Sequence, residues 1–179
     1  MTAAESRLLA SRESIHSDLE RIASEVRTQI ANPEDLLIVG IHSKGVWIAE
    51  YLNRLLAQHW QTEIASGTLD VGMHRDDLGQ KPLPNLQPTD LPTSIHGKTI
   101  LLVDDVIHSG RTIRAALDSL HDFGRPERVL LATLIDRGHR KLPIAPDFIG
   151  RRVAIEGEER IQVTALDKQQ GFEVHINAA

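Results

Sequence analysis

Residues 100–117 read Ile100-Leu101-Leu102-Val103-Asp104-Asp105-Val106-Ile107-His108-Ser109-Gly110-Arg111-Thr112-Ile113-Arg114-Ala115-Ala116-Leu117. The four apolar residues at the start predict a buried strand, with Asp104 and Asp105 at its carboxyl end. A loop of small residues follows. Apolar positions 113, 116, 117 and 120 then match one face of a helix. Strand, acidic pair, tight loop and helix start therefore succeed one another directly. This order suits capture of a phosphorylated sugar. The backbone amides of 108–112, with the hydroxyls of Ser109 and Thr112, form a cradle for a phosphate at the helix start. The paired carboxylates accept hydrogen bonds from vicinal hydroxyls or from metal-bound water.

An ordinary βα unit with solvated end charges has the same outline, so a lone Asp-Asp would carry little weight. The adjoining Ser-Gly-Arg-Thr changes this, because both halves face one cleft in an open α/β sheet. A receiver domain also starts with an apolar strand ending in Asp-Asp. The 79 residues from position 101 onward are too few for one. No Gly-x4-Gly-Lys-Ser/Thr is present, so the loop is not a Walker A loop.

The chain has 179 residues, the size of one domain, and at 41% hydrophobic it can build a sizeable core. Aromatics make up only 3%, so that core is aliphatic. There is no cysteine, which removes disulfide and thiolate chemistry. No stretch approaches 18 apolar residues and the first residues carry no apolar signal region, so a soluble cytoplasmic protein with no membrane partner is expected. A net charge of −5 opposes wholesale nucleic-acid binding while leaving room for a local basic patch.

Upstream of the central stretch, Ile15, Leu19, Ile22, Val26 and Ile30 predict an amphipathic first helix ended by Asn32-Pro33. Leu36 to Ile41 predicts a strand, and positions 46–59 a helix with Ile48, Leu52, Leu55 and Leu56 inward. Between them, His42-Ser43-Lys44-Gly45 is a polar turn whose amides could bind a second phosphate or a pyrophosphate. A strand is expected over 64–73. Residues 74–97 then change character: four of the eight prolines lie there, at 82, 84, 88 and 92. With His74-Arg75-Asp76-Asp77 at its opening, this segment reads either as a flexible lid over a polyanion or as a passive surface excursion.

Downstream, a helix over 111–123, a turn at 124–126 and a strand over 128–135 are expected, with short strands at 151–155, 160–166 and 172–177. The alternation from 36 to 136 predicts an α/β fold: a mainly parallel central sheet flanked by helices. Between 137 and 152 stand Arg137, His139, Arg140, Lys141, Arg151 and Arg152 against one acid, Asp147. That run is either a solvated face or a contact for nucleotide or RNA phosphates. His139 has no partner at ligand spacing, so no metal site is assigned to it.

Val103 to Thr112 resembles the signature of type I phosphoribosyltransferases. Val39-Gly40-Ile41-His42-Ser43-Lys44-Gly45 is similar to their pyrophosphate loop, and Arg75-Asp76-Asp77-Leu78 to the opening of their flexible loop. Leu134-Ile135-Asp136-Arg137-Gly138-His139-Arg140-Lys141-Leu142-Pro143-Ile144, with Pro146-Asp147-Phe148-Ile149-Gly150, is very like the PyrR family. Those proteins are pyrimidine-operon regulators that also act as uracil phosphoribosyltransferases.

The resemblance implies a single domain over 1–179, with a flexible loop at 74–97 and a small hood at about 137–179. It implies the reaction of uracil with phosphoribosyl pyrophosphate to give UMP and pyrophosphate, with Mg²⁺. Asp104 and Asp105 would hold the ribose hydroxyls, and Val106, Ile107, His108, Ser109, Gly110, Arg111 and Thr112 the 5′-phosphate region. His42, Ser43, Lys44 and Gly45 would hold pyrophosphate. Arg75 and Lys44 would stabilise the leaving group. Uracil would lie near Ile135, Asp136 and Arg137. Mg²⁺ would bridge pyrophosphate and ribose, with Asp104 and Asp105 acting through water and no other side chain as ligand. A homodimer or homotetramer is expected.

Arg21, His139, Arg140 and Arg151 are the RNA candidates, but the family pattern is incomplete on that side. Family members that bind operator RNA carry Thr-Arg-x-x-His in the first helix, where this chain has Glu20-Arg21-Ile22-Ala23-Ser24. They place Arg after Leu-Pro-Ile, where Ala145 stands here. Residues 1–35 carry seven acids against four basic residues, which repels phosphate. His108 occupies the position where enzymes acting on 6-oxopurines usually carry Asp and PyrR proteins an aromatic residue. The alternatives are a nucleotide-sensing RNA-binding regulator with little turnover, and a purine phosphoribosyltransferase.

Overall fold

The computed structural model describes residues 6–72, 87–92, 94–155, 159–167 and 171–178. The chain runs β1 (Ser6–Ala10), α1 (Arg12–Gln29), β2 (Leu36–Ile41), α2 (Lys44–Trp60), β3 (Ala65–Leu69), β4 (Thr99–Ile107), α3 (Arg111–Leu120), β5 (Arg128–Asp136), β6 (Phe148–Arg152), β7 (Arg160–Asp167) and β8 (Gly171–Asn177). The larger sheet is parallel, in the order β3-β2-β4-β5-β6. The smaller is antiparallel, in the order β1-β8-β7. The expected α/β class and parallel sheet are both present.

Side-chain alternation along the central strands divides the core into two layers. Leu36 and Ile38 of β2 and Leu101 and Val103 of β4 pack with Leu19, Ile22 and Val26 of α1 and Leu52 and Leu56 of α2. Leu37, Val39 and Ile41, with Ile100 and Leu102, pack against Ile113, Ala116 and Leu120 of α3. Each such fully buried aliphatic side chain contributes roughly 2 kcal/mol relative to exposure. With helices on both faces, β2 is buried along its whole length. None of the described helices is long and apolar enough to cross a membrane.

Several boundaries differ from the sequence expectation, each for a tertiary reason. β1 was not expected; it pairs with β8, at the opposite end of the chain. The strand expected over 64–73 stops at Leu69, where Asp70 N–H turns to Thr89 Oγ1 at 3.0 Å. The Asp70 carboxylate then accepts from Gly72 N–H at 2.6 Å and from Gln87 N–H. The helix expected to reach 123 ends at Leu120 and tightens into a 3-10 turn over His121–Phe123. The strand expected at 151–155 lies at Phe148–Arg152, because pairing with β5 sets its register. Val153 and Ile155 are buried beyond its end.

Of the segment 74–97, residues 74–86 and 93, Arg75 among them, lie outside the described residues. The remainder is docked. Thr68 and Asp90 exchange backbone hydrogen bonds of 2.8 and 2.9 Å, and Ile95 is wholly buried. Of the stretch expected as a hood, β6 joins the parallel sheet, while β7 and β8 form the small sheet with β1.

Two glycines set how closely α2 approaches the sheet. A Cβ on Gly45 would lie 2.5 Å from the Val103 carbonyl oxygen and 3.1 Å from Asp104 Cα. A Cβ on Gly40 would lie 2.5 Å from Val46 Cα. Gly45→Ala is therefore expected to lower unfolding free energy by about 1–3 kcal/mol, as overpacking does. Denaturant titration checks this; an unchanged midpoint would show that the helix can retreat without cost.

Candidate active site

From β2 the chain passes through α2 to β3 on one side; from β4 it passes through α3 to β5 on the other. The carboxyl ends of β2 and β4 therefore diverge, and open sheets bind ligands in the crevice this creates. The turn 42–45 forms one wall and the loop 108–112 the other. His42 N–H donates to Leu69 O at 2.9 Å, and its Nε2 lies 3.3 Å from the Pro88 carbonyl. The His42–Ser43 peptide is cis. Ser11 caps α1 through its side chain, whereas the cap residues Ser43 and Gly110 make no side-chain cap bond to α2 and α3. Both helix amino-termini thus present amides and positive dipole ends to the crevice.

Asp104 is only 6% exposed and Asp105 is half-buried. Asp104 Oδ1 accepts from Asp105 N–H and Asp105 Oδ1 from Val106 N–H, both at 2.9 Å, which fixes the two carboxylates. Asp104 shares a cavity of about 180 Å³ with His108, Ser109, Gly110 and Thr112. Gly110 has φ 89°, a left-handed conformation that favours glycine. Ser109 Oγ accepts from Arg111 N–H at 3.3 Å. Lys44 is the first residue of α2 and is half-buried.

A second cleft, of about 560 Å³, opens beside the end of β5. It is lined by Asp136, Arg137, Gly138 and His139 on one strand end and by Arg152, Val153 and Ala154 on the other. Val153 and Ala154 were not foreseen, and Arg152 stood only in the basic run of 137–152. Their place follows from the parallel pairing of Asp136 with Arg152, which leaves no local trace in sequence. The Ile135 side chain is wholly buried in the core, so only its main chain can serve the cleft. Among the described residues, the buried Arg137 Nε has no hydrogen-bond partner.

Residues 11–169 match the family model for the phosphoribosyl transferase domain. The chain is 47% identical to bifunctional protein PyrR of Chloroflexus aurantiacus, over 94% of this chain and 93% of that protein. It is 43% identical to the Syntrophobacter fumaroxidans protein of the same name, over 97% and 94%.

The chain belongs to the PyrR family of phosphoribosyltransferases.

Solved structures agree on the fold. A hypoxanthine phosphoribosyltransferase from Trypanosoma cruzi superposes with a TM-score of 0.72 at 16% identity, covering 96% of this chain and 95% of that one. A hypoxanthine-guanine phosphoribosyltransferase from Bacillus anthracis gives 0.67 at 17% identity, covering 89% and 88%.

On the side where RNA contacts were expected for a PyrR protein, the arginines have internal partners. Arg21 donates to the carbonyls of Ile149 and Gly150, at 3.0 and 2.6 Å, and to Glu25 at 3.0 Å. Arg151 donates to Asp18 Oδ2 at 2.8 Å and to Ser14 Oγ at 2.5 Å. Arg140 is tied to Asp136 and to three carbonyls. His139 is exposed, with its ring edge-on to His108 at a centroid separation of 6.4 Å.

Partial burial, then the charges of Arg137, His139, Arg140 and Lys141, hold the His108 pKa below its ordinary 6.5. The fold thus favours the neutral ring, and the unfolded chain binds more protons at pH just under 6.5. His108 therefore costs no stability above that pH and lowers stability as pH falls through 6.5 toward its folded value. An NMR titration is expected to place the ring below 6.5, and H108N to remove its part of the acid slope. A midpoint at or above 6.5 would contradict this.

Proposed function

We propose that the protein transfers the phosphoribosyl group of phosphoribosyl pyrophosphate to uracil, releasing UMP and pyrophosphate. The observation that carries this reading is one crevice holding the buried Asp104, the half-buried Asp105 and two helix amino-termini, with the second cleft beside it. The sugar's two hydroxyls suit the carboxylates, and its 5′-phosphate suits the amides of 108–112. The pyrophosphate suits the amino end of α2 and Lys44. Uracil then falls in the cleft at 136–139.

In this reaction the bond from uracil N1 to the anomeric carbon forms as the bond to pyrophosphate oxygen breaks. The N1 proton passes to water or to a pyrophosphate oxygen, and the bond electrons leave with the pyrophosphate, where negative charge gathers. The anomeric carbon passes through oxocarbenium character, so the protein mainly positions reactants and stabilises charge. Arg137 favours electron density on the base, and Lys44 with Arg75 favours the leaving group. Asp104 and Asp105 are hard oxygen acceptors that suit Mg²⁺ through its bound water. Bound Mg²⁺ would neutralise pyrophosphate charge.

The decisive assay combines phosphoribosyl pyrophosphate and Mg²⁺ with uracil, hypoxanthine or guanine. UMP formation with uracil is expected to dominate; IMP or GMP as the main product would sink the uracil assignment. Replacing both acids (D104N with D105N) is expected to cut kcat/KM by about 100-fold or more while leaving the fold intact. Unchanged turnover would remove them from the site.

RNA-linked regulation stands second in this reading, because Arg21, Arg140 and Arg151 have internal partners. With UMP present, log K for RNA against log salt is expected to have a slope of about −1 or shallower, which is about one phosphate at most. A slope steeper than about −3 would restore RNA binding as a main activity.

A further inference from the structure

The segment after β5 folds back over the loop 108–112. The N–H groups of Lys141 and Leu142 both donate to Ser109 O, at 3.0 and 3.1 Å. A Cβ on Gly110 would lie 3.5 Å from the Cβ atoms of Leu142 and Ile144, an ordinary van der Waals separation, so the two segments lie side by side. One side chain spans it. Arg140 Nη2 is 2.8 Å from Asp136 Oδ1. Its Nη1 donates to His108 O at 2.9 Å and more weakly to Gly138 O at 3.4 Å. Its Nε donates to Ile144 O at 2.9 Å. Asp136 Oδ1 also accepts from Gly138 N–H at 2.9 Å. The side chains of Arg140 and Asp136 are 22% and 12% exposed, so water screens these bonds only in part.

A single guanidinium thus joins the first residue of the 108–112 loop to the carboxylate at the mouth of the larger cleft. Its planar fork supplies donors in several fixed directions, which an ammonium cannot do. The phosphate and base of a nucleotide are held at a separation set by its covalent frame, so the two protein loops must match it. Binding sites need such supports to keep geometry within about 0.5 Å.

We propose that Arg140 is a positioning residue that fixes the spacing between the phosphate loop and the base cleft, so that a nucleoside 5′-monophosphate is gripped at both ends at once. This rests on the assignment of the two clefts given above. Arg140 touches neither substrate; it acts through His108 O, Asp136 and Ile144 O. The same geometry engages its guanidinium with partners inside the chain.

The test compares wild type with R140K and R140Q. Calorimetry measures binding of UMP, uridine and inorganic phosphate separately, and kinetics measures kcat and KM. Uridine and phosphate alone are expected to bind each variant within about threefold of wild type, while the advantage of UMP over uridine falls by about tenfold or more. kcat is expected to drop by about 10–100-fold with the KM for phosphoribosyl pyrophosphate little changed. A merely structural role would lower the unfolding midpoint and leave the UMP-to-uridine ratio alone.

R140K keeps the charge and is the milder variant, so it decides the matter where R140Q does not fold. A wild-type UMP-to-uridine ratio and kcat in R140K overturn the proposal. If wild type takes a purine instead, IMP and inosine replace UMP and uridine, and the ratio still decides. Wild type that binds neither nucleotide overturns the cleft assignment itself, and this inference with it.

Discussion

Nothing larger than a hydrogen atom fits between Gly45 and the backbone of β4 at Val103 and Asp104. That close contact makes the amino end of α2 a direct neighbour of the acidic pair. The parallel pairing of Gly40 with Val103 brings the two strand ends level, and the absence of a side chain at 40 admits the start of α2. With a bulkier residue at either position, helix and strand would stand apart and the crevice would lose one wall. The remaining site features are arranged around this contact.

Opposite electrostatic demands meet there. Carboxylates favour hydroxyl groups and cations, while helix amino-termini favour phosphoryl oxygens. A phosphorylated sugar carries both kinds of group on one small frame, and so satisfies both at once. Asp104 and Asp105 each accept a hydrogen bond from the next residue's amide, which holds the two carboxylates in place. The larger cleft carries Arg137 on one side and Arg152 on the other, along with the Asp136 carboxylate. These arginines are local and coexist with a net charge of −5 because acids outnumber bases elsewhere, with seven acids against four basic residues in positions 1–35.

The elements that were legible in the sequence share one property: their signals are local. Ile15 to Val26 repeat at helical spacing, and the apolar run before Asp104 needs no distant partner to declare a strand. Small residues after the carboxylates mark the loop in the same way. Elements missed or displaced depend on distant partners. β1 carries an exposed Leu8 and acquires strand form only by pairing with β8. β6 is placed by β5, whose register overrides the apolar pattern of 151–155. Arg140 and Arg151 look alike as basic residues in one run, yet one bridges two loops and the other locks to Asp18 on α1.

By itself, the sequence determined the fold class, the acidic pair, the glycine-bearing turn and the family, because each is written in consecutive residues whose chemistry does not wait on folding. Only the tertiary structure decided that 152–154 border the cleft of 136–139, that Arg21, Arg140 and Arg151 are engaged by partners within the chain, and that the chain's first strand closes the small sheet. These depend on contacts between residues far apart in sequence. Such contacts exist only after burial of the two aliphatic layers has set the strands in register.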